Sequence, residues 1–339
     1  MSSLTYLWLN ANSLTSSIPS ILTRLTQLVD LVAFENGLTG QIPDSMASMT
    51  SLSDIELHDN LLSGTLPPWM GTLTGLYRLF VEVNQLTGPV PCFNATTEYI
   101  RMYLSNNLLT GSLTDGCLPA QIDELSVESN YLTGTIPPSI SSTRATQILA
   151  SDNMFTGTIP RELSNMTSLQ TLLLQFNMLE GQPDAFINTS RQIQLSTIDL
   201  SFNEFSGTIP SLVFQLPILQ SFAAIESCFT GSLPSSICDA GSLEVLLLDG
   251  VTSGKNCRYY FNANVFTHSD AYVSTVGAVA GGIPGCVWSL RNLKVLLNID
   301  SPEVRGWAPA VQQAAQHAVN AAIRVLSDTS GVKGLDDGR

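Results

Sequence analysis

Residues 52–67 read LSDIELHDNLLSGTLP, and the same arrangement returns along most of the chain. In each copy, apolar residues spaced as L-x-x-L-x-L precede an asparagine, and a glycine lies in the turn after it. The asparagines recur every 23 to 26 residues, at Asn12, Asn36, Asn60, Asn84, Asn107, Asn130, Asn153, Asn177 and Asn203. So constant a period predicts one solenoid of stacked coils instead of separate globular domains.

Each copy also indicates its own local structure. The alternation around Ile55 and Leu57 is typical of a short strand with one face turned inward. Since every coil contributes one such strand, stacking predicts a parallel sheet, with residues such as Leu73 and Leu76 completing the core behind it. The asparagine amide can bond to the backbone of adjacent coils, and the glycine permits a tight turn. The predicted fold class is therefore an α/β solenoid.

The continuation after the asparagine, as in LTGQIP at residues 38–43, resembles the x-L-T-G-x-I-P pattern of plant-type leucine-rich repeats. That class is found in receptor-kinase ectodomains and polygalacturonase-inhibiting proteins. The resemblance implies a right-handed leucine-rich-repeat superhelix with a parallel concave β-sheet and a second short sheet beside it. It does not identify a ligand, because members bind peptides, steroids, other proteins and even ice.

The chain divides into four segments, according to where the repeat pattern is present and where it is interrupted. We expect about ten to eleven coils in residues 1–251, an island insertion at 252–280, a terminal repeat at 281–301, and an Ala-rich C-terminal helix and tail at 302–339. The helix is predicted from apolar residues spaced three and four apart between Val311 and Leu326. It would either cap the open end of the core or dock onto another subunit.

The island is rich in aromatic residues, among them Tyr259, Tyr260 and Tyr272. Two interpretations remain open for them. They either anchor the insertion to the flank of the solenoid or form the rim of a ligand pocket.

The six cysteines fit structural disulfides in an oxidising compartment. Two of them, Cys92 and Cys117, fall at nearby points of consecutive coils, and Cys228, Cys238, Cys257 and Cys286 bracket the island. Buried free thiols are the alternative. Glycosylation candidates are Asn94, Asn165 and Asn188, although chance alone accounts for that many sequons. With the family resemblance, the cysteines predict an extracellular or cell-surface protein, whose signal peptide is not present in this chain.

Charge and motifs exclude several classes of function. The chain has 14 Lys and Arg against 28 Asp and Glu, a net charge of −14, which argues against nucleic acid and anionic membranes as partners. No apolar run is long enough for a membrane span. Its three histidines are scattered, and no nucleophile elbow, phosphate loop or metal-binding cluster accompanies them. We therefore expect neither an enzyme nor a metal or cofactor.

The concave side of the sheet is the remaining candidate site, because the variable strand positions point there. Acidic and aromatic residues dominate it, and the candidate partner-binding residues are Asp30, Phe34, Glu35, Asp54, Glu56, Arg78, Phe80, Glu82, Arg101, Tyr103, Glu124 and Glu128. These predict a non-catalytic recognition module for a protein or peptide with a basic surface. One alternative is a scaffold subunit of a larger assembly that docks through its C-terminal helix, and a minor alternative is ice binding by the Thr-Gly-Thr turns.

Overall fold

The computed structural model describes residues 3–93, 100–225, 227–248 and 284–297. They form a solenoid in which each coil contributes a concave strand, a turn at the asparagine and, in most coils, a second short strand and a convex 3₁₀ helix. The island tyrosines Tyr259, Tyr260 and Tyr272, together with Cys257 and the predicted C-terminal helix, lie outside the described residues.

The concave sheet has twelve parallel strands among the described residues. In spatial order they are β1 (Tyr6–Trp8), β3 (Asp30–Val32), β5 (Asp54–Glu56), β7 (Arg78–Phe80), β9 (Ile100–Tyr103), β11 (Ile122–Ser126), β13 (Gln147–Leu149), β15 (Thr171–Leu173), β17 (Thr197–Asp199), β19 (Ser221–Ala223), β20 (Val245–Leu247) and β21 (Val295–Leu297). Within it, Leu31 pairs with Ile55 and Ile55 with Leu79, so the core residue of each strand stacks on that of the next. All three are buried.

A second parallel sheet of nine strands runs along the flank of the described coils. Its members are β2 (Thr15–Ser17), β4 (Gly37–Gly40), β6 (Leu61–Thr65), β8 (Gln85–Gly88), β10 (Leu108–Ser112), β12 (Tyr131–Gly134), β14 (Met154–Gly157), β16 (Met178–Gly181) and β18 (Glu204–Phe205). The α/β leucine-rich-repeat solenoid expected from the repeat is confirmed, including this second sheet.

The convex side carries 3₁₀ helices, each of which begins directly after a proline of the repeat. They span Ser20–Arg24, Asp44–Ser48, Pro68–Thr72, Pro138–Ser142, Arg161–Asn165, Ser211–Gln215, Ser235–Asp239 and Gly285–Ser289. Proline suits this position because its fixed φ leads into a helical turn and its missing N–H is not needed there. No helix among the described residues has the length and apolar character needed to cross a membrane.

The recurring asparagine joins each coil to the preceding one. Asn107 donates from Nδ2 to the carbonyl oxygen of Val81, at 3.0 Å, and to two carbonyls of its own turn. Its Oδ1 accepts from the amide of Leu86 at 3.0 Å, which fixes the start of the neighbouring second-sheet strand. Asn107 is buried, so these bonds satisfy backbone groups that water does not reach.

This ladder ends where the sequence replaces asparagine with Ser227. The serine hydroxyl still reaches the carbonyl oxygens of Leu200 and Ile225, at 2.8 and 3.0 Å. It is too short to accept from the preceding coil's amide as well. The second sheet ends at the same place, since beyond β18 the described residues retain only a bridge between Thr208 and Thr230.

Disulfides join neighbouring coils. One bond joins Cys92 to Cys117, and a second joins Cys238 to Cys286. Cys228 is disulfide-bonded too. Strands β20 and β21 pair directly, although residues 248–294 separate them in the sequence.

Candidate recognition surface on the concave sheet

The concave face consists of the side chains on either side of each buried core residue, together with the turn that follows. All twelve predicted partner-binding residues lie there, between β3 and the turn after β11. We call this stretch, with His58, Asp59 and Asp123, the acidic face. The structure brings its members together by strand register, since Asp54 lies opposite Asp30 on one side and Arg78 on the other.

Two arginines neutralise part of the acidic face. The guanidinium of Arg78 lies 3.3 Å from the carboxylate of Asp54 and 3.0 Å from that of Glu56. Arg101 donates from Nε to Asp123 at 3.2 Å and lies 3.9 Å from Glu124. Asp123 was not predicted as a site residue, and it reaches the face because the register between β9 and β11 shifts there. These carboxylates therefore already have cationic partners.

Four other carboxylates on the face, those of Asp30, Glu35, Glu82 and Glu128, have no arginine or lysine partner among the described residues. Asp30 accepts a hydrogen bond from the indole of Trp8 at 3.4 Å, Glu128 accepts from the hydroxyl of Ser151, and Glu35 is exposed. One carboxylate oxygen of Glu82 is buried without a hydrogen-bond partner. The acidic face thus keeps an excess of negative charge after its internal ion pairs are counted.

Burial changes the titration of several of these groups. Desolvation raises the pKa of Glu82 to about 7, an effect that Asp59 and Glu56 reinforce and His58 opposes. Desolvation likewise raises the pKa of Glu128 and of Asp54. The face therefore holds at least one carboxyl group, that of Glu82, whose charge is sensitive to pH near neutrality.

Aromatic side chains from adjacent coils stack on each other across the acidic face. The rings of Phe80 and Tyr103 lie 4.5 Å apart at 10°, and those of Phe34 and His58 lie 4.3 Å apart at 11°. The hydroxyl of Tyr103 also bonds to Glu124, and burial with that bond raises the pKa of the phenol. Stacked rings of this kind are fixed in place and offer flat apolar area beside charge. His58 was not among the predicted partner-binding residues, although it lies in the turn directly after the strand that carries Asp54 and Glu56.

The chemistry of the concave face changes beyond β11. Positions that carry Phe80 and Tyr103 in earlier coils carry Leu149, Leu173 and Ala223 later, and these side chains are buried. No candidate residue was predicted in this half. The sequence does show this change in chemistry, because the variable strand positions become apolar while the repeat itself continues.

The remaining predicted sites are away from the concave face or outside the described residues. Asn165 is exposed at the end of a convex 3₁₀ helix, where it accepts a hydrogen bond from Arg191 at 3.0 Å. Asn188 accepts from the amide of Ser190 within a turn. Asn94 lies outside the described residues. Over the part of the chain that is described, His, Cys, Asp and Glu do not gather into a metal-binding group.

The fold and this face together define a leucine-rich-repeat solenoid with an open concave sheet. Comparison with known proteins gives the same class: the family model "Leucine Rich Repeat" matches residues 3–25 and 194–216. Receptor like protein 24 of Arabidopsis thaliana is 38% identical over 71 residues, which are 21% of this chain and 7% of that protein.

Solved structures extend the likeness over most of the chain. The ectodomain of the Arabidopsis receptor kinase HAESA, in complex with a peptide hormone and a co-receptor, is 29% identical with a TM-score of 0.70, over 86% of this chain and 45% of that chain. A plant ice-binding protein is 25% identical with a TM-score of 0.62, over 71% of this chain and 80% of its own. The chain thus resembles plant receptor ectodomains and spans less than half of the HAESA chain.

Proposed function

We propose that this chain is a non-catalytic extracellular recognition module that binds a peptide or protein with a basic surface on its acidic face. The observation that carries the proposal is the combination, on adjacent strands, of stacked rings with carboxylates that no arginine neutralises. Aromatic rings are the usual energetic anchors of interfaces, while unpaired surface charge sets partner choice and association rate. The likeness to HAESA, which is described in complex with a peptide hormone, supports a peptide as the ligand.

The extracellular location rests on two supports. The disulfides between coils suit an oxidising compartment. The curated relative is a receptor-like protein. Docking through a C-terminal helix, which the scaffold alternative requires, concerns residues outside the described part of the chain.

Selection from a displayed library of random peptides tests the proposal with ligands that the protein itself selects. The protein is used as the bait, beside two double variants with the same change in net charge. One is Asp30→Lys with Glu35→Lys on the acidic face. The other is the control, Asp44→Lys with Asp239→Lys, whose exposed carboxylates lie on convex 3₁₀ helices.

We expect peptides rich in Lys or Arg that bind the wild type and the convex control equally and the concave variant at least about tenfold more weakly. A further change, Phe80→Ala, should speed dissociation if the Phe80–Tyr103 stack is an anchor. Selected peptides that lack basic residues, or that bind all three proteins equally, would reject the acidic face as the binding site.

A second candidate function, ice binding, is favoured by one feature of the second sheet. Threonine hydroxyls in successive coils donate to the glycine carbonyl of the coil before, as Thr133 does to Gly111 and Thr156 to Gly134, at 3.2 and 3.3 Å. These bonds fix a regular row of hydroxyl and methyl groups. The row is broken at Glu180 and the neighbouring row at Gln41, Pro89 and Gln182. Thermal hysteresis that Thr133→Tyr abolishes would establish this function, and freezing without hysteresis would reject it.

A further inference from the structure

A small cavity opens on the concave face beyond the acidic face, between β15 and β20. It has a volume of about 30 Å³ and is lined by residues from neighbouring coils. We call it the concave pocket. Its walls are apolar on one side, where Phe176, Phe202, Ile225 and Leu247 meet, and polar on the other.

The apolar wall contains two stacked rings and is partly open to solvent. The rings of Phe176 and Phe202 stack at 4.3 Å and 7° across adjacent coils. Phe176 is 39% exposed, whereas Leu247 and Ile225 are buried in an apolar cluster on this face. An alkyl chain could therefore enter along the exposed ring and remain in contact with carbon atoms.

The polar wall carries hydrogen-bond acceptors, contributed by Gln175, Asp199 and Ser201. Asp199 is buried, and its Oδ1 accepts from the amide of Ser201 at 2.9 Å. The Ser201 hydroxyl bonds to the same carboxyl and also accepts from the amide of Ile225 at 3.1 Å. The side-chain oxygen of Gln175 is buried without any hydrogen-bond partner. Among the described residues that line the pocket, none is basic.

We propose that the concave pocket binds a primary ammonium group, and specifically the side chain of a lysine in the partner. A carboxyl group and an amide oxygen that share a small cavity match a group with three N–H donors. The volume of about 30 Å³ is enough for a group of the size of an ammonium ion. This inference rests on the proposed peptide-binding function and adds a lysine to the description of the ligand.

The electrostatics favour a cation over a neutral donor. Desolvation raises the pKa of Asp199, although hydrogen bonds from Ser201 oppose the shift, and no described lining residue carries a positive charge. An alcohol or a water molecule would satisfy an acceptor but would leave that charge uncompensated. An ammonium group supplies both the donors and the charge, and the ring of Phe176 adds a favourable face for a cation.

Two small probes that differ only in the ammonium group test the pocket without a peptide. They are Nα-acetyl-lysine amide and Nα-acetyl-norleucine amide, whose dissociation constants are measured by NMR titration against the full chain. We expect the lysine probe to bind and to shift the resonances of residues lining the pocket, with the norleucine probe about tenfold weaker or more.

Variants then assign the binding to the named side chains. Asp199→Asn keeps an acceptor for the Ser201 amide and removes the charge, so it should weaken the lysine probe about tenfold. Gln175→Leu should weaken it several-fold and serves as a second variant if Asp199→Asn does not fold. Asp152→Asn, which lies on the same face but does not line the pocket, is the control and should leave binding unchanged.

Equal binding of the two probes would overturn the proposal, since the pocket would then recognise only the alkyl chain that the probes share. Binding of neither probe would also overturn it and leave a pocket for water alone. Charge reversal at Asp30 and Glu35 does not touch this pocket, so failure of the lysine probe and failure of the proposed function are separate results.

Discussion

At the scale of single residues, the asparagine side chains connect each coil to the one before it. Asn107 satisfies backbone groups of two coils at once, and each of these groups is shielded from water. A buried acceptor or donor left without a partner costs more than the net value of the bond that it lost. The ladder therefore stabilises the solenoid by preventing unsatisfied groups.

Asn107→Ala should lower the free energy of unfolding by about 1–3 kcal/mol, because it leaves buried carbonyls and an amide unpaired. Asn12→Ala is the matched control, since Asn12 occupies the same motif position but is exposed, and its side chain bonds only within its own turn. We expect it to cost less than about 1 kcal/mol. Urea denaturation measures both, and equal losses would remove the ladder as a source of stability.

Glu82 should make stability depend on pH. Its pKa is raised from 4.5 to about 7, so the folded state holds the proton more tightly than the unfolded state. Stability is therefore fully present below about pH 4.5 and falls as the pH rises through about 7, by roughly 3 kcal/mol.

Glu82→Gln should reduce the loss of stability with rising pH. Glu35→Gln, at an exposed position of the same face, serves as the control. Unfolding free energies across the same pH range give the comparison. The slope should not vanish entirely, because burial also raises the pKa of Glu128 and Asp54. A Glu82→Gln variant with the wild-type slope would show that this carboxyl is not the titrating group.

At the scale of the element, the turn of each repeat depends on close packing as well as on backbone conformation. Gly157 has φ of +74°, and a β-carbon there would lie 2.9 Å from the Cγ2 of Thr135 in the preceding coil. Gly116 has φ of +75° but no atom within 4 Å of the same position. The two glycines therefore separate the effects of conformation and contact.

Gly116→Ala should cost about 1–2 kcal/mol, because the left-handed conformation disfavours a β-carbon. Gly157→Ala should cost about 1–3 kcal/mol more, since Thr135 must also move. The double variant Gly157→Ala with Thr135→Ser should recover the part of the lost stability that is due to the contact with the Thr135 methyl group. Thermal or urea unfolding provides the measurement, and equal costs at the two glycines would contradict the packing explanation.

The elements themselves were largely predictable from the sequence, whereas their lateral contacts were not. Ile55 and Leu57 were assigned to the inward positions of a strand from spacing alone, and both are buried. The ion pairs of Arg78 and the burial of Glu82 depend on which residues of adjacent coils lie opposite each other. Asp123 reached the face through a register shift that no single repeat reveals. The repeat pattern therefore predicts each coil, whereas the register between neighbouring strands determines which side chains meet in the candidate site.

At the scale of the whole molecule, the concave face has two chemically different halves. The coils from β3 to β11 carry carboxylates and stacked rings on this face. In the later coils the corresponding side chains are mostly apolar and buried, and they surround the concave pocket. The net charge of −14 acts over the whole surface, so a basic partner would be attracted at long range. We therefore expect an extended ligand to lie along the sheet with basic groups over both halves.

The association rate of a selected basic peptide, measured against salt concentration, tests this account most directly. Charges spread over several coils attract beyond contact distance, and salt screens that attraction over about 8–10 Å at physiological ionic strength. The wild type and the convex control, Asp44→Lys with Asp239→Lys, should therefore associate more slowly as salt rises. Asp30→Lys with Glu35→Lys should associate slowly at low salt and show a flatter dependence. An association rate that varies with salt identically in the concave variant and the wild type would contradict recognition by the acidic face.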